Sequence, residues 1–409
     1  MEYKQPGLSR KVLHKLRETC YTAFGNAFTK PDPKLIVFSS EPDFSDNSRV
    51  LFEYMQDNGF AESYKFIWLV NEPAQFASLH YLNTTFVQKN DAYRYLRRET
   101  LKALMQAHYY IGTHIRQKRI RKSGSGQIIL NLWHGCGFKD TQHMPWNDAF
   151  DYVLVPGDVF IETKSRFFGC SKDRILPIGY PRYDLFRKHN PNMDAFVNSF
   201  RVNADTRLII WMPTFRKTGK NKYPEEHIAY SFPLPVLQSA EDLLKLDRAC
   251  REKNLVILVK KHQYQQDFGI DNAALTNIRF IDNQTFSDHQ IQMYEFLPCT
   301  DALISDYSSV AIDYLLIDKP IGFTLDDYES YKQTRGFVFE DPLAYMPGAH
   351  IYTLEELIRF VGDVAEGAPD PYKAQRAEVR PHTKPPHGKR KRHLVQSRWP
   401  RFLPTRCMR

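Results

Sequence analysis

The chain of 409 residues is long enough for two or more separately cored domains. Its 42% hydrophobic and 14% aromatic content is that of a folded globular protein. The net charge of +9 belongs to the tail: residues 371–409 carry 12 Lys or Arg and one Glu, leaving 44 basic and 46 acidic residues before them, a balance that argues against a nucleic-acid partner. No apolar run approaches the ~20 residues that cross a bilayer. The six cysteines are scattered without a CxxC pair, so neither a disulfide framework nor a zinc site is suggested. The start, Met1-Glu2-Tyr3-Lys4-Gln5-Pro6, has no signal-peptide pattern and reads as cytoplasmic.

In chain order, residues 1–30 form a basic amphipathic segment, with Leu8, Val12, Leu13, Leu16 and Cys20 at helical spacing among Arg10, Lys11, Lys15 and Arg17. It suits either an anionic lipid surface or its own domain. From Lys34 a βα alternation begins: a strand at Leu35–Phe38, a helix at Ser48–Asn58, then strands near 64–70, 108–111, 128–133 and 152–155. Turn residues at 175–184 and a helix near Asp194–Phe200 close an expected first domain, residues 31–200. A second series over 201–368 runs through strands near 208–211, 255–259, 278–281, 302–304 and 320–323. Short apolar strands between helices predict two doubly wound parallel sheets, Rossmann-like, with an interdomain cleft. After about Asp370 the periodicity dissolves, and residues 369–409, rich in Pro, His and Arg, are expected to be disordered in isolation.

Groups that suit a phosphate recur just past strand ends. Ser305-Asp306-Tyr307-Ser308-Ser309 follows an apolar run and opens a predicted helix, where unpaired N–H groups and the positive dipole end favour an anion. Ser308 and Ser309 can cap that helix or donate to the anion. Trp133-His134-Gly135-Cys136-Gly137-Phe138-Lys139 places an imidazole and an ammonium in a glycine-flanked loop. Pro213-Thr214-Phe215-Arg216 adds a hydroxyl and a guanidinium, Lys260-Lys261-His262 two ammonium groups and an imidazole, and Asp46-Asn47-Ser48-Arg49 opens the first βα helix. Singly, these read as caps or solvated strand ends. Together they supply the positive field that a diphosphate needs where no carboxylate cluster for a divalent ion is evident.

These motifs, in this order, with Asp313-Tyr314 and Lys319-Pro320, resemble the CDP-glycerol glycerophosphotransferases, the teichoic-acid primases and polymerases, over roughly residues 35–360. Asp43–Ser48 and Gly179-Tyr180-Pro181-Arg182-Tyr183-Asp184 are similar to further family segments. The resemblance implies a GT-B architecture and transfer of glycerol phosphate or ribitol phosphate from CDP-glycerol or CDP-ribitol. The acceptor would be a hydroxyl on a lipid-linked glycan or growing polymer, and CMP would be released. His134 and His262 match the family's two functional histidines. His134 is the preferred general base, with Asp46 an alternative base or an orienter of its ring. Lys261, Arg216, Thr214, Ser308 and Ser309 are assigned to the donor phosphates, with Lys139 and Arg182 as further candidates. Asp313 and Asp306 would hold the nucleotide ribose or support the helix start. No cofactor is required by the sequence, and Mg²⁺ is not indicated. Peripheral attachment to the inner face of the membrane is expected, through the first helix or the tail. The alternatives on the same scaffold are a nucleotide-sugar glycosyltransferase and an inactive scaffold of a wall-polymer complex. Two departures stand out: Gln263 follows His262 where the family commonly has proline, and the chain after about Val379 does not resemble a family terminus.

Overall fold

A computed structural model describes residues 7–91, 95–115, 126–140, 149–214, 232–260 and 274–383. These fall into two compact units, one drawn from Met1–His134 and His143–Arg182, the other from Gly135–Gln142 and Tyr183–Pro386.

The first unit opens with helix α1 (Leu8–Phe28). Strand β1 (Asp32–Ser39), helix α2 (Asp46–Asp57), strands β2 (Lys65–Val70) and β3 (Thr84–Gln88), helix α3 (Arg98–Gln106) and strand β4 (Ala107–Gly112) follow. Strands β5 (Ile128–Asn131) and β6 (Tyr152–Leu154), helix α4 (Ile161–Phe168) and strand β7 (Ile175–Leu176) complete the unit. All seven strands are parallel, in the order β3-β2-β1-β4-β5-β6-β7. Leu35–Phe38 can be uninterruptedly apolar because a central parallel strand is covered on both faces. Phe38, Phe52, Phe66 and Trp68 meet beneath α2, with Phe38 stacked on Trp68 at 5.3 Å between ring centroids.

α1 packs on the α3 side of this unit through polar contacts. The Arg17 guanidinium donates to the Leu96 carbonyl, and His14 stacks on Tyr95 at 3.9 Å. Leu8, Val12, Leu13, Leu16, Phe24 and Phe28 of the same helix are exposed. Among the described residues no helix is long and apolar enough to cross a membrane.

The second unit contains α5 (Met193–Phe200), β8 (Arg207–Met212), α6 (Ala240–Glu252), β9 (Leu255–Lys260) and β10 (Ile278–Ile281). It continues with α7 (Asn283–Asp288), α8 (Met293–Phe296), β11 (Ala302–Ser305), α9 (Ser309–Tyr314), β12 (Ile321–Thr324) and α10 (Tyr328–Thr334). Strand β13 (Ala349–Ile351) and helices α11 (Leu354–Glu366) and α12 (Lys373–Thr383) end it. Its six parallel strands run β10-β9-β8-β11-β12-β13. α6 and α11 cover one face, where Leu243, Leu246, Leu357 and Val361 close over Ile209, Trp211, Ile257 and Val259. α11 carries both helix-end signals: a reciprocal Thr353–Glu356 capping box, and Gly367 in the left-handed conformation at its end.

Two sequence expectations change here. The boundary expected at residue 200 lies at Arg182/Tyr183, because α5 turns Phe196 against Phe286 and Phe296 of the second unit. The tail expected from residue 369 begins later. α12 is anchored by Arg376, a fully buried guanidinium ion-paired with Asp370 and Asp318. A buried charge with two carboxylate partners holds a helix that hydrophobic periodicity does not reveal. Residues 384–409 lie outside the described residues.

Candidate functional site

In each sheet the strand order reverses once, between β1 and β4 in the first unit and between β8 and β11 in the second. In doubly wound sheets, ligands bind beyond the carboxyl ends of the strands beside such a reversal. The candidate residues that can be placed cluster there, so each unit is considered in turn.

In the first unit, β1, β4 and β5 end at Ser39, Gly112 and Asn131. Gly112 is required by this close approach: a side-chain carbon there would lie 2.6 Å from the Ser39 hydroxyl oxygen. Beyond β5 the chain turns sharply at Trp133, which adopts φ +53°, and Asp46 at the start of α2 has φ +54°. Two non-glycine residues in the left-handed region at one strand-end cluster mark a geometry that its surroundings enforce. Those surroundings are a set of hydrogen bonds. Asn131 accepts from the Trp133 N–H, and the fully buried Asn47 amide donates to the Trp133 carbonyl at 2.9 Å. The Asn47 carbonyl oxygen accepts from the Arg182 N–H at 3.2 Å. The buried Arg182 guanidinium pairs with Asp46 at 2.9 Å and donates to the His134 carbonyl at 3.0 Å.

His134 is thereby fixed through its main chain. The residue is partly exposed, and its ring stacks on that of His114 at 4.3 Å between centroids and meets the tilted Trp133 ring at 4.1 Å. Asp46 touches this arrangement through Arg182. Arg182 is the central cation of the cluster.

In the second unit, β8 and β11 end at Met212 and Ser305. Asp306 is fully buried and accepts from both the Thr214 N–H at 2.8 Å and the Thr214 hydroxyl at 2.5 Å. The Thr214 hydroxyl, assigned in the sequence to the donor phosphates, gives its proton to Asp306 and ties the β8 and β11 loops together. Of the two roles open to Asp313, its surroundings are those of support. It is fully buried and accepts from the phenols of Tyr183 and Tyr294, each at 2.5 Å. Asp306 likewise acts as support.

Ser308 and Ser309 remain half-exposed at the start of α9, and Ser308 makes no side-chain capping bond. The loop that begins at His134 continues into this unit. A side-chain carbon on Gly137 would lie 2.8 Å from the Ser309 nitrogen and 3.0 Å from the Tyr307 carbonyl oxygen, so this loop lies directly on the start of α9 only because residue 137 lacks one. Lys139 pairs with Phe337 in an antiparallel bridge. Lys260, half-buried at the end of β9, has its amine pushed below the ordinary lysine range by desolvation, with Asp282 opposing. Lys319 lies at the amino ends of β11 and β12, where it donates to the Pro298 and Thr300 carbonyls. Lys261, His262 and Arg216 lie outside the described residues.

Sequence reasoning missed His114 and Tyr294, and named Asn47 and Tyr183 only as members of their motifs. What each holds is set by its distant partners.

A family model described as CDP-glycerol:poly(glycerophosphate) glycerophosphotransferase matches residues 22–397. The chain is 26% identical over 385 residues to the teichoic acid poly(glycerol phosphate) polymerase of Bacillus spizizenii, covering 87% of this chain and 91% of that one. It is 24% identical over 388 residues to the teichoic acid glycerol-phosphate transferase of Staphylococcus aureus, covering 88% and 91%. Its fold matches a solved structure of the wall teichoic acid polymerase TagF with a TM-score of 0.68, at 23% identity and covering 90% of this chain and 89% of the other. Two parallel-sheet α/β units, with the family's motifs at their strand ends, place this chain in the CDP-glycerol:poly(glycerophosphate) glycerophosphotransferase family.

Proposed function

We propose that this protein transfers a polyol phosphate from CDP-glycerol or CDP-ribitol to a hydroxyl of a lipid-linked or polymeric envelope glycan. The acceptor oxygen forms a bond to the donor's β-phosphorus, the bond from that phosphorus to the bridging oxygen breaks, and CMP leaves. His134 takes the acceptor proton as the oxygen attacks. The single observation that carries this reading is the placement of His134: a half-exposed imidazole beyond β5, its main chain clamped by Arg182. Positioned proton transfer of this kind contributes ~10²–10⁴-fold in rate.

In this reading Ser308 and Ser309 contact the donor phosphates, joined by Lys261, His262 and Arg216 on the strength of their motifs. Such transfers depend mostly on positioning and charge stabilisation, which suits a site rich in cations and donors. We read the two Rossmann-like units as a GT-B architecture. We also place the protein on the cytoplasmic face of an anionic membrane, where the exposed apolar side chains and the lysines and arginines of α1 would meet lipid. Sedimentation with phosphatidylglycerol vesicles tests that placement: a Leu13→Glu, Leu16→Glu variant that sediments like the parent chain would exclude α1 as the contact.

The activity is tested by incubating the protein with CDP-glycerol, CDP-ribitol and a UDP-sugar on a lipid-linked glycan acceptor, following nucleotide release and product mass. CMP release with a product heavier by one polyol phosphate is expected. UDP release without CMP would replace this reading with a glycosyltransferase, and inertness towards every donor would leave a scaffold.

A further inference from the structure

His114 lies just past the end of β4, beside the strand-order reversal of the first sheet. Its neighbours Thr113 and Ile115 are buried and fix the backbone on both sides. Thr113 Oγ1 and His114 Nδ1 share a hydrogen bond at 2.9 Å, which sets the orientation of the ring. The ring lies face to face with that of His134, 4.3 Å between centroids and 8° from parallel. The two histidines come from different strand ends, 20 residues apart in sequence, so the stack is a product of the sheet.

Resting on the assignment of His134 as the base, we propose that His114 is a positioning residue for the transfer. The main chain of His134 is clamped by Arg182, but a main-chain bond does not set the side-chain torsions that orient the imidazole. The flat ring of His114 lying parallel against it holds the imidazole in one plane, so that its nitrogen meets the acceptor hydroxyl. Proton abstraction requires that nitrogen within hydrogen-bond reach of the hydroxyl, and small misplacements cost large factors in rate. On this account the flat face of His114 does the work and its titration does not.

The test compares His114→Ala with His114→Phe in the full chain, by steady-state CMP release from CDP-glycerol or CDP-ribitol, whichever the donor panel selects. The alanine variant is expected to lose about tenfold in kcat with little change in the KM for donor, and phenylalanine to restore most of it. Wild-type kcat in the alanine variant, or a phenylalanine variant as slow as alanine, overturns the proposal. If alanine proves unstable, the phenylalanine variant decides alone: kcat close to that of the parent chain is expected, and a loss of about tenfold overturns the proposal. A second readout is independent of turnover. In protein labelled with ¹³C-histidine, the His134 ring resonances, identified by their loss in His134→Gln, should move in His114→Ala and stay near their wild-type positions in His114→Phe. Resonances unmoved by alanine would show that the stack is not populated. A fully active His134→Gln would instead remove the base assignment, and with it the role of His114, whatever the resonances do.

Discussion

The strand-end clusters of the two units use opposite means to hold their loops. In the first unit a cation organises the turn: Arg182 pairs with Asp46 and grips the His134 carbonyl, while the Asn47 amide bridges Trp133 and Arg182. In the second unit buried carboxylates do so. Asp306 collects both donors of Thr214, and Asp313 collects the phenols of Tyr183 and Tyr294. The consequence for chemistry differs accordingly. The first arrangement leaves an imidazole half-exposed on a rigid main chain. The second consumes its carboxylates inside the fold and leaves the hydroxyls of Ser308 and Ser309 half-exposed, with no negative charge facing outward from Asp306 or Asp313. A carboxylate facing outward beside Ser308 and Ser309 would repel the diphosphate proposed to bind there.

Removing the groups on each side should break this contrast by graded amounts. The largest effect is expected from His134→Ala: a loss of ~10²–10⁴-fold in kcat for CMP release, with a folded chain by circular dichroism. Activity within a few-fold of the parent would mean that the imidazole of the first unit is not the chemical group. Next comes Asp313→Ala, which removes the acceptor shared by two buried phenols. A hydrogen bond to a charged group contributes about 1.5–3 kcal/mol, so urea denaturation should show the second unit weakened by roughly 3–6 kcal/mol, with Asp313→Asn intermediate. Unchanged stability would contradict the supporting role assigned here.

Arg182→Met should follow, at about 2 kcal/mol of lost stability from the partly buried pair. It should also lower kcat more than it raises the KM for donor, because what is lost is the clamp on His134. A pure KM effect would move Arg182 into donor binding. The smallest effect concerns His108 on β4, whose ring is held below its ordinary pKa by desolvation, opposed by Asp32. The ring is neutral in the fold while the unfolded chain takes up a proton first as pH falls. Stability is therefore full above about pH 6.5 and declines as pH drops through the folded pKa. Melting temperatures recorded from pH 7 downwards should show that decline shrinking in His108→Phe by a degree or two, roughly. An identical slope would remove His108 from the account.

Much of the fold was legible. The central strands β1, β4, β8, β9 and β11 announce themselves because burial on both faces makes them apolar without interruption. The sequence reading passed over β3, β7 and β13. Each lies at a sheet edge, β7 and β13 are only two and three residues long, and Thr84–Gln88 of β3 is only partly buried. An edge strand has one neighbour and needs less apolar character, so its pattern is weak. The site was legible as motifs at strand ends but not as roles. Thr214 looks like a ligand group in sequence, and Asp306 and Asp313 like ligand groups or supports; each is answered by another side chain.

The distinction follows from the range of the interactions. Hydrophobic runs, glycine positions and the family motifs are local properties, and from them the sequence alone determined two parallel α/β units, the strand-end loops that bear the motifs and the family. Whether a polar group faces a ligand or the interior depends on partners far away in the chain. Tyr183 reaches Asp313 across 130 residues, Arg182 reaches Asp46 across 136, and His114 meets His134 only because their strands are neighbours in the sheet. A buried hydrogen-bonding group must find a partner wherever the packing supplies one, so tertiary structure alone decided which of these side chains are tied up inside the fold and which stay partly exposed.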